Sequence, residues 1–428
     1  MTTGTMVNAY TPGAGNLSPQ DQDRVARRAR LLGPAYRLFY ETPVHLVRGE
    51  GVWLYDADGK AYLDCYNNVA SLGHCHPHVV AATARQSAIY ASHTRYLNDT
   101  VLDYAERLLA TFPQALNHVM FTCTGSEAND LALRIAFAHT DGTGVIVTEN
   151  AYHGVTLSTA AMSPSLGAGV PLGVHVRTVP APADGQFTAH VQAAIHDLQR
   201  HGIKPAALLV DTIFSSDGVY ADPAGFLKPA AEAIREAGGL FIADEVQPGF
   251  ARTGAAMWGF QRHGLIPDMV SMGKPMGNGY PVAGLALKAG VIKTFGNRAR
   301  YFNTFGGNAV AAATAMAVLE VIEGEGLRSN AATTGAYFRD GLLALARTHD
   351  SLGPLRAAGL FLGQDIMTDG KPDAKKAARV VNRMRDGGVL ISATGPRGHV
   401  LKIRPPLTFR PEHVDRVLDS LDMALSTP

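Results

Sequence analysis

From about residue 77 the chain alternates amphipathic helices with short apolar strands, and this rhythm constrains the fold more than any other feature. Helical patterns run through "VVAATARQSAIYA" and "DTVLDYAERLLATF", followed by the strand "HVMFTC", a helix from Ser126 and the strand "TGVIVTE". The strand "AALLVDTIF", the helix "AGFLKPAAEAIREAG", the strand "GLFIADEV" and strands near 269–272 and 282–287 continue the series. Strands joined through helices run parallel and are covered on both faces, so the chain reads as α/β. Such sheets collect ligands beyond the carboxyl ends of their strands. Before this region come a short helix, "DQDRVARRARLL", and a meander-like run, "VHLVRGEGVWLYDADGKAYLDC", broken by Gly and Asp-Gly turns. After a long helix beyond Gly307 the texture becomes a smaller α+β pattern that ends in "VLKIRPP" and an amphipathic helix. At 428 residues the chain exceeds one ordinary domain. The texture divides it into an N-terminal segment (1–76), a large domain (77–325) and a C-terminal segment (326–428).

Composition removes several classes of function. With 18% charged residues and a formal charge of +1, the chain lacks the basic bias of a nucleic-acid or anionic-membrane binder. Its three cysteines, Cys65, Cys75 and Cys123, are odd in number and form no CxxC, which argues against a disulfide framework and for a reducing, cytoplasmic setting. The first residues, "MTTGTMVNAYTPGAGNLSP", have no basic stretch leading into an apolar one, and no run approaches the ~18 apolar residues of a membrane span. The expectation is a soluble, unexported protein.

Three features at strand ends carry chemistry. "TCTGSEAND" turns from strand to helix at Gly125 and Ser126, where free amides, a hydroxyl and a permissive glycine suit a phosphate. The same serine would also serve as an ordinary helix cap. In "GLFIADEVQPGF", Asp244 and Glu245 follow a strand apolar enough to be buried, so a carboxylate there needs a cation or strong donor, either a protonated ring nitrogen or an arginine. In "SMGKPMGNGYPVAG", Lys274 sits in a constrained Gly/Pro loop. A lysine amine acts as nucleophile or base at neutral pH only when desolvated, set beside other cations, or condensed into an imine. Phosphate cradle, buried carboxylate and Schiff-base lysine are together what pyridoxal 5′-phosphate requires.

These residues, with "GHCHP", "AYHG", "PDMVSMGKPMGNGYPVAG" and "NTFGGN", resemble the class III (ornithine/4-aminobutyrate type) pyridoxal-phosphate aminotransferases over nearly the whole chain. The resemblance implies fold type I: a large domain with a mainly parallel seven-stranded sheet, a small domain built from both termini, and a homodimer with shared active sites, or a tetramer. It implies that Lys274 carries the cofactor, Asp244 pairs with the pyridine nitrogen, and Gly125 and Ser126 bind the phosphate. Tyr152 would stack on one face of the ring and Val246 on the other, with His153 behind the tyrosine and Gln247 near the ring hydroxyl. Thr304 would reach the phosphate of the neighbouring subunit.

The branch of the family turns on the substrate side. In the 4-aminobutyrate and ornithine branch an arginine before the "PPL"-like turn binds a carboxylate and a glutamate covers it. Here those places hold Lys402 and Ser216. With "TRYLND", "YFNTFGGN" and "VLKIRPPLTF", the chain looks most like the ethanolamine-phosphate phospho-lyases, for which Arg95, Lys402 and Arg404 are candidate phosphate donors. Residues 402 and 404 of a strand share a face. Each cation would equally serve a structural ion pair. The expectation is elimination of phosphate from O-phosphoethanolamine or a related phosphorylated amine. The alternative is an ω-aminotransferase using a keto acid such as pyruvate or glyoxylate. A cofactor-binding transcription regulator would need a basic domain ahead of the fold, and the first forty residues are too few and too neutral. His74, Cys75 and His76 are consecutive and so poorly spaced for zinc; they read as turn residues, and no metal is expected. Trp53 and Trp258 read as packing residues.

Overall fold

A computed structural model describes Met6 and residues 8–427. Strands β1 (Leu46–Glu50), β2 (Trp53–Asp56) and β3 (Ala61–Asp64) form an antiparallel meander, as the turn signals between them require. Seven strands then build the central sheet: β4 (His118–Thr122), β5 (Gly144–Thr148), β6 (Val176–Val179), β7 (Pro205–Asp211), β8 (Leu240–Asp244), β9 (Met269–Met272) and β10 (Ala283–Leu287). Their order is β4-β10-β9-β8-β7-β5-β6. Only β10 runs against its neighbours. The carboxyl ends of β4, β7, β8 and β9 therefore open onto one edge.

The central strands are apolar on both faces: every residue of β5, β8, β9 and β10 is buried, as a sheet covered on each side demands. The helix Leu227–Glu236 shows how the cover is built. Leu227, Ala230, Ala231 and Ile234 recur at helical spacing and are buried against the sheet, while charged residues occupy the outer face.

The C-terminal part contributes β11 (Leu352–Ala358), β12 (Phe361–Thr368), β13 (Lys371–Pro372), β14 (Val389–Leu390), β15 (Ser392–Thr394) and β16 (Val400–Ile403). Strands β11, β12, β16 and β15 lie in that order in a second sheet, with β13 on β12. β14 instead leaves this group and pairs in parallel with β3, so strands from both ends of the chain share one sheet.

Three local expectations change. The helix expected from Ser126 begins at Gly125 and is capped by Thr124. The strand expected to continue through Phe214 stops at Asp211, whose two carboxylate oxygens accept the amides of Ile213 (3.0 Å) and Ser215 (3.1 Å) and turn the chain aside. Phe214 follows at φ 51°. Strand β6 and the helix Phe187–Arg200 went unread, because β6 is a four-residue sheet edge with two half-buried polar residues, Arg177 and Thr178. Trp258 is fully buried, stacked on Phe112 with centroids 4.2 Å apart.

Candidate active site

The anion cradle is formed where β4 enters the helix Gly125–Thr140. Thr124 Oγ1 accepts the amide of Glu127 (3.1 Å), and Glu127 Oε2 accepts the amides of Cys123 (2.7 Å) and Thr124 (3.0 Å). This reciprocal cap consumes the polar groups of Thr124 and Glu127. The amides of Gly125 and Ser126 lie ahead of the helical ladder, at its positive end, and both residues line a cavity of about 320 Å³. Glycine is required at 125 by close approach: a Cβ would fall 2.8 Å from Val246 Cγ2. Packed against Ser126, Gly154 adopts φ +139°, and a Cβ there would strike Ser126 Oγ at 2.6 Å. The cradle is thus open because two side chains are missing from it.

At the end of β8, Asp244 and Glu245 point to opposite sides. Glu245 turns away from the cavity and accepts Thr212 Oγ1 (2.7 Å) and the amides of Gly259 (2.7 Å) and Phe260 (2.8 Å), a structural role. Burial raises its acid to about 7. Asp244 lines the cavity and is held by Asn129 Nδ2 (2.9 Å), His153 Nδ1 (2.7 Å) and the amide of Val246 (3.0 Å). Burial alone would raise its pKa, but those hydrogen bonds and the His153 charge hold it below the usual carboxylate value. Asn129 also donates to the His153 carbonyl (2.9 Å), fixing donor and histidine together. His153 Nε2 is buried without a hydrogen-bond partner among the described residues.

Lys274 opens the short 3₁₀ turn Lys274–Gly277 after β9. Its φ of 22° is unusual for a residue with a side chain, and strain of this kind is kept where surrounding structure imposes it. Its Nζ has no hydrogen bond or ion pair among the described residues. Burial first, and then the Arg404 charge, lower its pKa, against the opposing pull of Asp244 and Asp211.

Eight of the residues singled out in the sequence line this one cavity: Gly125, Ser126, Tyr152, His153, Asp244, Val246, Gln247 and Lys274. Tyr152 is partly exposed at its mouth, while Val246 is buried. The other four lie outside the lining. Arg404 is buried, stacked 4.5 Å over Tyr66, and donates from Nε to the Tyr66 carbonyl (2.7 Å) and from Nη1 to Gln247 Oε1. It therefore reaches the cavity through Gln247. Lys402 is buried, with Nζ 5.6 Å from the Phe361 ring centre and no hydrogen bond or ion pair among the described residues. Burial, and next the Arg404 charge, push its pKa well down; Asp211 and Lys274 lie near enough for their charges to act on it. Arg95 is exposed, with its guanidinium 3.7 Å over the Phe302 ring, and Thr304 is exposed.

Two polar residues of the site went unread. Asn129 stands one helical turn after Gly125, a spacing that would have flagged it. Asp211 is the direct register partner of Asp244 on the adjacent parallel strand, a relation visible only once the strand order is known. His74 bonds Asp64 (2.8 Å), and among the described residues no cluster of His, Cys, Asp or Glu could hold a metal ion.

The cavity tests well against pyridoxal 5′-phosphate. Free helix-end amides beside Ser126 suit its phosphate, an ionised buried carboxylate suits its ring nitrogen, and an unpaired lysine suits its aldehyde. Comparison with known proteins agrees. The aminotransferase class-III family model matches residues 39–425. An Ethanolamine-phosphate phospho-lyase homolog 1 from Caenorhabditis elegans is 34% identical, covering 99% of each chain. An Alanine--glyoxylate aminotransferase 2-like protein from Drosophila melanogaster is 39% identical, over 92% of this chain and 85% of that one. Among solved structures, a phospholyase from Arthrobacter in complex with phosphoethanolamine superposes with a TM-score of 0.92 at 43% identity, covering 95% of this chain and all of that one.

Proposed function

We propose that this chain, which belongs to the class-III aminotransferase family and uses pyridoxal 5′-phosphate on a fold type I scaffold, is a phospho-lyase that eliminates phosphate from O-phosphoethanolamine. The observation that carries the reading is Lys402. Burial pushes the pKa of Lys402 well down, so without a hydrogen bond or ion pair among the described residues its amine takes a proton at a cost that an arriving anion offsets, and it stands where its charge reaches Lys274. The guanidinium of Arg404 is already committed to Tyr66 and Gln247, so it offers no open fork for a keto acid's carboxylate. Similarity to a phospholyase that binds phosphoethanolamine supports the same substrate.

When bound, the cofactor draws electrons from the substrate carbon that carries the amine. The residues of this chain do the rest. Gly125 and Ser126 hold the cofactor phosphate, and Asp244, kept ionised by His153 and Asn129, holds a proton at the ring nitrogen. Tyr152 and Val246 flank the ring, and Gln247, positioned by Arg404, approaches its hydroxyl. Lys274 Nζ, with its pKa lowered, removes the proton from the amine-bearing carbon. The Cβ–O bond breaks with its electron pair leaving on phosphate, beside the positive potential of Lys402. Water then converts the freed vinylamine into acetaldehyde and ammonia. Arg95 and Thr304, both exposed, serve the neighbouring site of a homodimer; Leu97 at 98% and Phe305 at 71% exposure give that contact its apolar surface. A cytoplasmic setting accords with three unpaired thiols.

The test is incubation of purified holoenzyme with O-phosphoethanolamine and no keto acid, with assay of inorganic phosphate and acetaldehyde. Equimolar release of both is expected. A second reading, an ω-aminotransferase, draws on the similarity to an alanine–glyoxylate aminotransferase 2-like protein. Release of neither product, together with alanine formed from an amine and pyruvate, would establish it instead.

A further inference from the structure

We infer that Asp211 is a specificity-determining residue that turns away amines bearing a carboxylate on the amine-bearing carbon, so that the site takes only primary amines without one. The inference rests on the proposed reaction for its assay, and concerns the carboxylate beside Asp244 in the same cavity.

Asp211 ends β7 in direct register with Asp244 on β8, so the two carboxylates stand side by side on the same face of the sheet. Both line the cavity. Asp211 has no ion-pair partner among the described residues. Each of its oxygens instead accepts a backbone amide, from Ile213 and from Ser215, which fixes the group and favours its ionised form. Burial and the neighbouring Asp244 act in the opposite direction and raise its pKa. Among the described residues the lining holds two carboxylates, one lysine, Lys274, which the chemistry itself occupies, and one histidine, His153, already bonded to Asp244. Among the described residues no arginine lines it. Recognition of an amino acid's carboxylate needs a guanidinium or ammonium beside the reacting amine. Here Asp211 lines the same cavity near enough for its charge to act on Lys274, and a substrate carboxylate drawn toward it would meet a like charge in a space of low dielectric. The remaining cation, Lys402, lies outside the lining, where it suits an anion at the far end of the substrate.

The paired substrates O-phosphoethanolamine and O-phosphoserine differ only by the carboxylate in question. On wild-type holoenzyme, phosphate release from phosphoserine should be slower in kcat/KM on the order of 10- to 100-fold, the scale of one like-charge contact. Asp211→Asn and Asp211→Ser should each shrink that ratio about tenfold, and Asp211→Glu should preserve it. Because both substrates are measured on one preparation, loss of folded enzyme cancels from the ratio. Titration calorimetry on the same holoenzymes should show phosphoserine binding gained in the neutral variants. Phosphoserine within about threefold of phosphoethanolamine on wild type, or a ratio unmoved in both neutral variants, would overturn the inference. If no substrate releases phosphate, the lyase reading falls by itself. Propylamine and 2-aminobutyrate with pyruvate then carry the same comparison through the change in visible absorbance: preference for propylamine, lost in Asp211→Asn, sustains the inference, and equal reactivity sinks it.

Discussion

Two lysines, Lys274 and Lys402, are both desolvated, both lowered in pKa and both without a hydrogen bond or ion pair among the described residues, yet the backbone assigns them different work. Lys274 stands in a strained turn at the open end of β9, where three residues earlier the sheet is fully buried. Lys402 is clamped in the middle of the second sheet, with β16 paired to β12 on one side and β15 on the other. A shifted pKa thus marks burial, and the strand end, not the shift, supplies access to a reacting atom. In the proposed reaction the difference gives Lys274 to the cofactor and Lys402 to the substrate's phosphate.

The comparison breaks most sharply under substitution of the lysines themselves. Lys274→Ala should abolish the visible absorbance of the lysine-bound cofactor and reduce phosphate release by about 10³-fold or more. An unchanged spectrum would remove Lys274 from its role. Lys402→Met should keep the spectrum and lower kcat/KM for phosphoethanolamine by about 10- to 100-fold, chiefly through KM. If its spectrum were lost instead, the two lysines would not divide the labour as stated.

Asp244→Asn sharpens the cofactor half. Removing its charge while keeping its shape should lower kcat by about 10²-fold and leave the affinity for phosphoethanolamine within a few-fold, because the loss falls on the proton at the ring nitrogen. Steady-state phosphate release and substrate titration together separate the two terms.

The smallest effect concerns stability. Asp217, buried and bonded to Thr148 Oγ1 (2.8 Å), has its acid raised by burial to about 7 from an ordinary 3.8. Between those values the folded chain keeps a proton that the unfolded chain has released, so stability falls as pH rises through that window. Asp217→Asn should flatten the decline in melting temperature measured between about pH 4 and pH 7. Equal slopes in both proteins would show that Asp217 titrates normally.

The same division governs what could be read from the sequence. Asp244 and Lys274 each follow a run apolar enough to be a central strand, Gly125 follows the edge strand β4 at a strand-to-helix turn, and these strand ends converge on one edge of the sheet. Local pattern was sufficient there. Asp211 is hidden in the sequence because its own side chain ends the strand, by capturing amides that the apolar run "AALLVDTIF" assigns to the ladder. The setting of Lys402 and Arg404 depends on β16 meeting β12 and on Arg404 reaching Tyr66 and Gln247, contacts that span 338 and 157 residues. No periodicity records such distances. Strand β6 failed for the opposite reason, being a short edge whose half-polar pattern resembles a loop.

The parallel pairing of β14 with β3 sets a timetable for synthesis. Leu63 and Asp64 leave the ribosome early but wait for Val389 and Leu390 before their edge is covered. Every strand of the central sheet emerges in between, so the cofactor cradle can assemble on a nascent chain while the wall carrying Lys402 and Arg404 is still unmade. A chain arrested before residue 389 would keep an uncovered strand edge, the kind of surface that chaperones bind and that aggregates form upon.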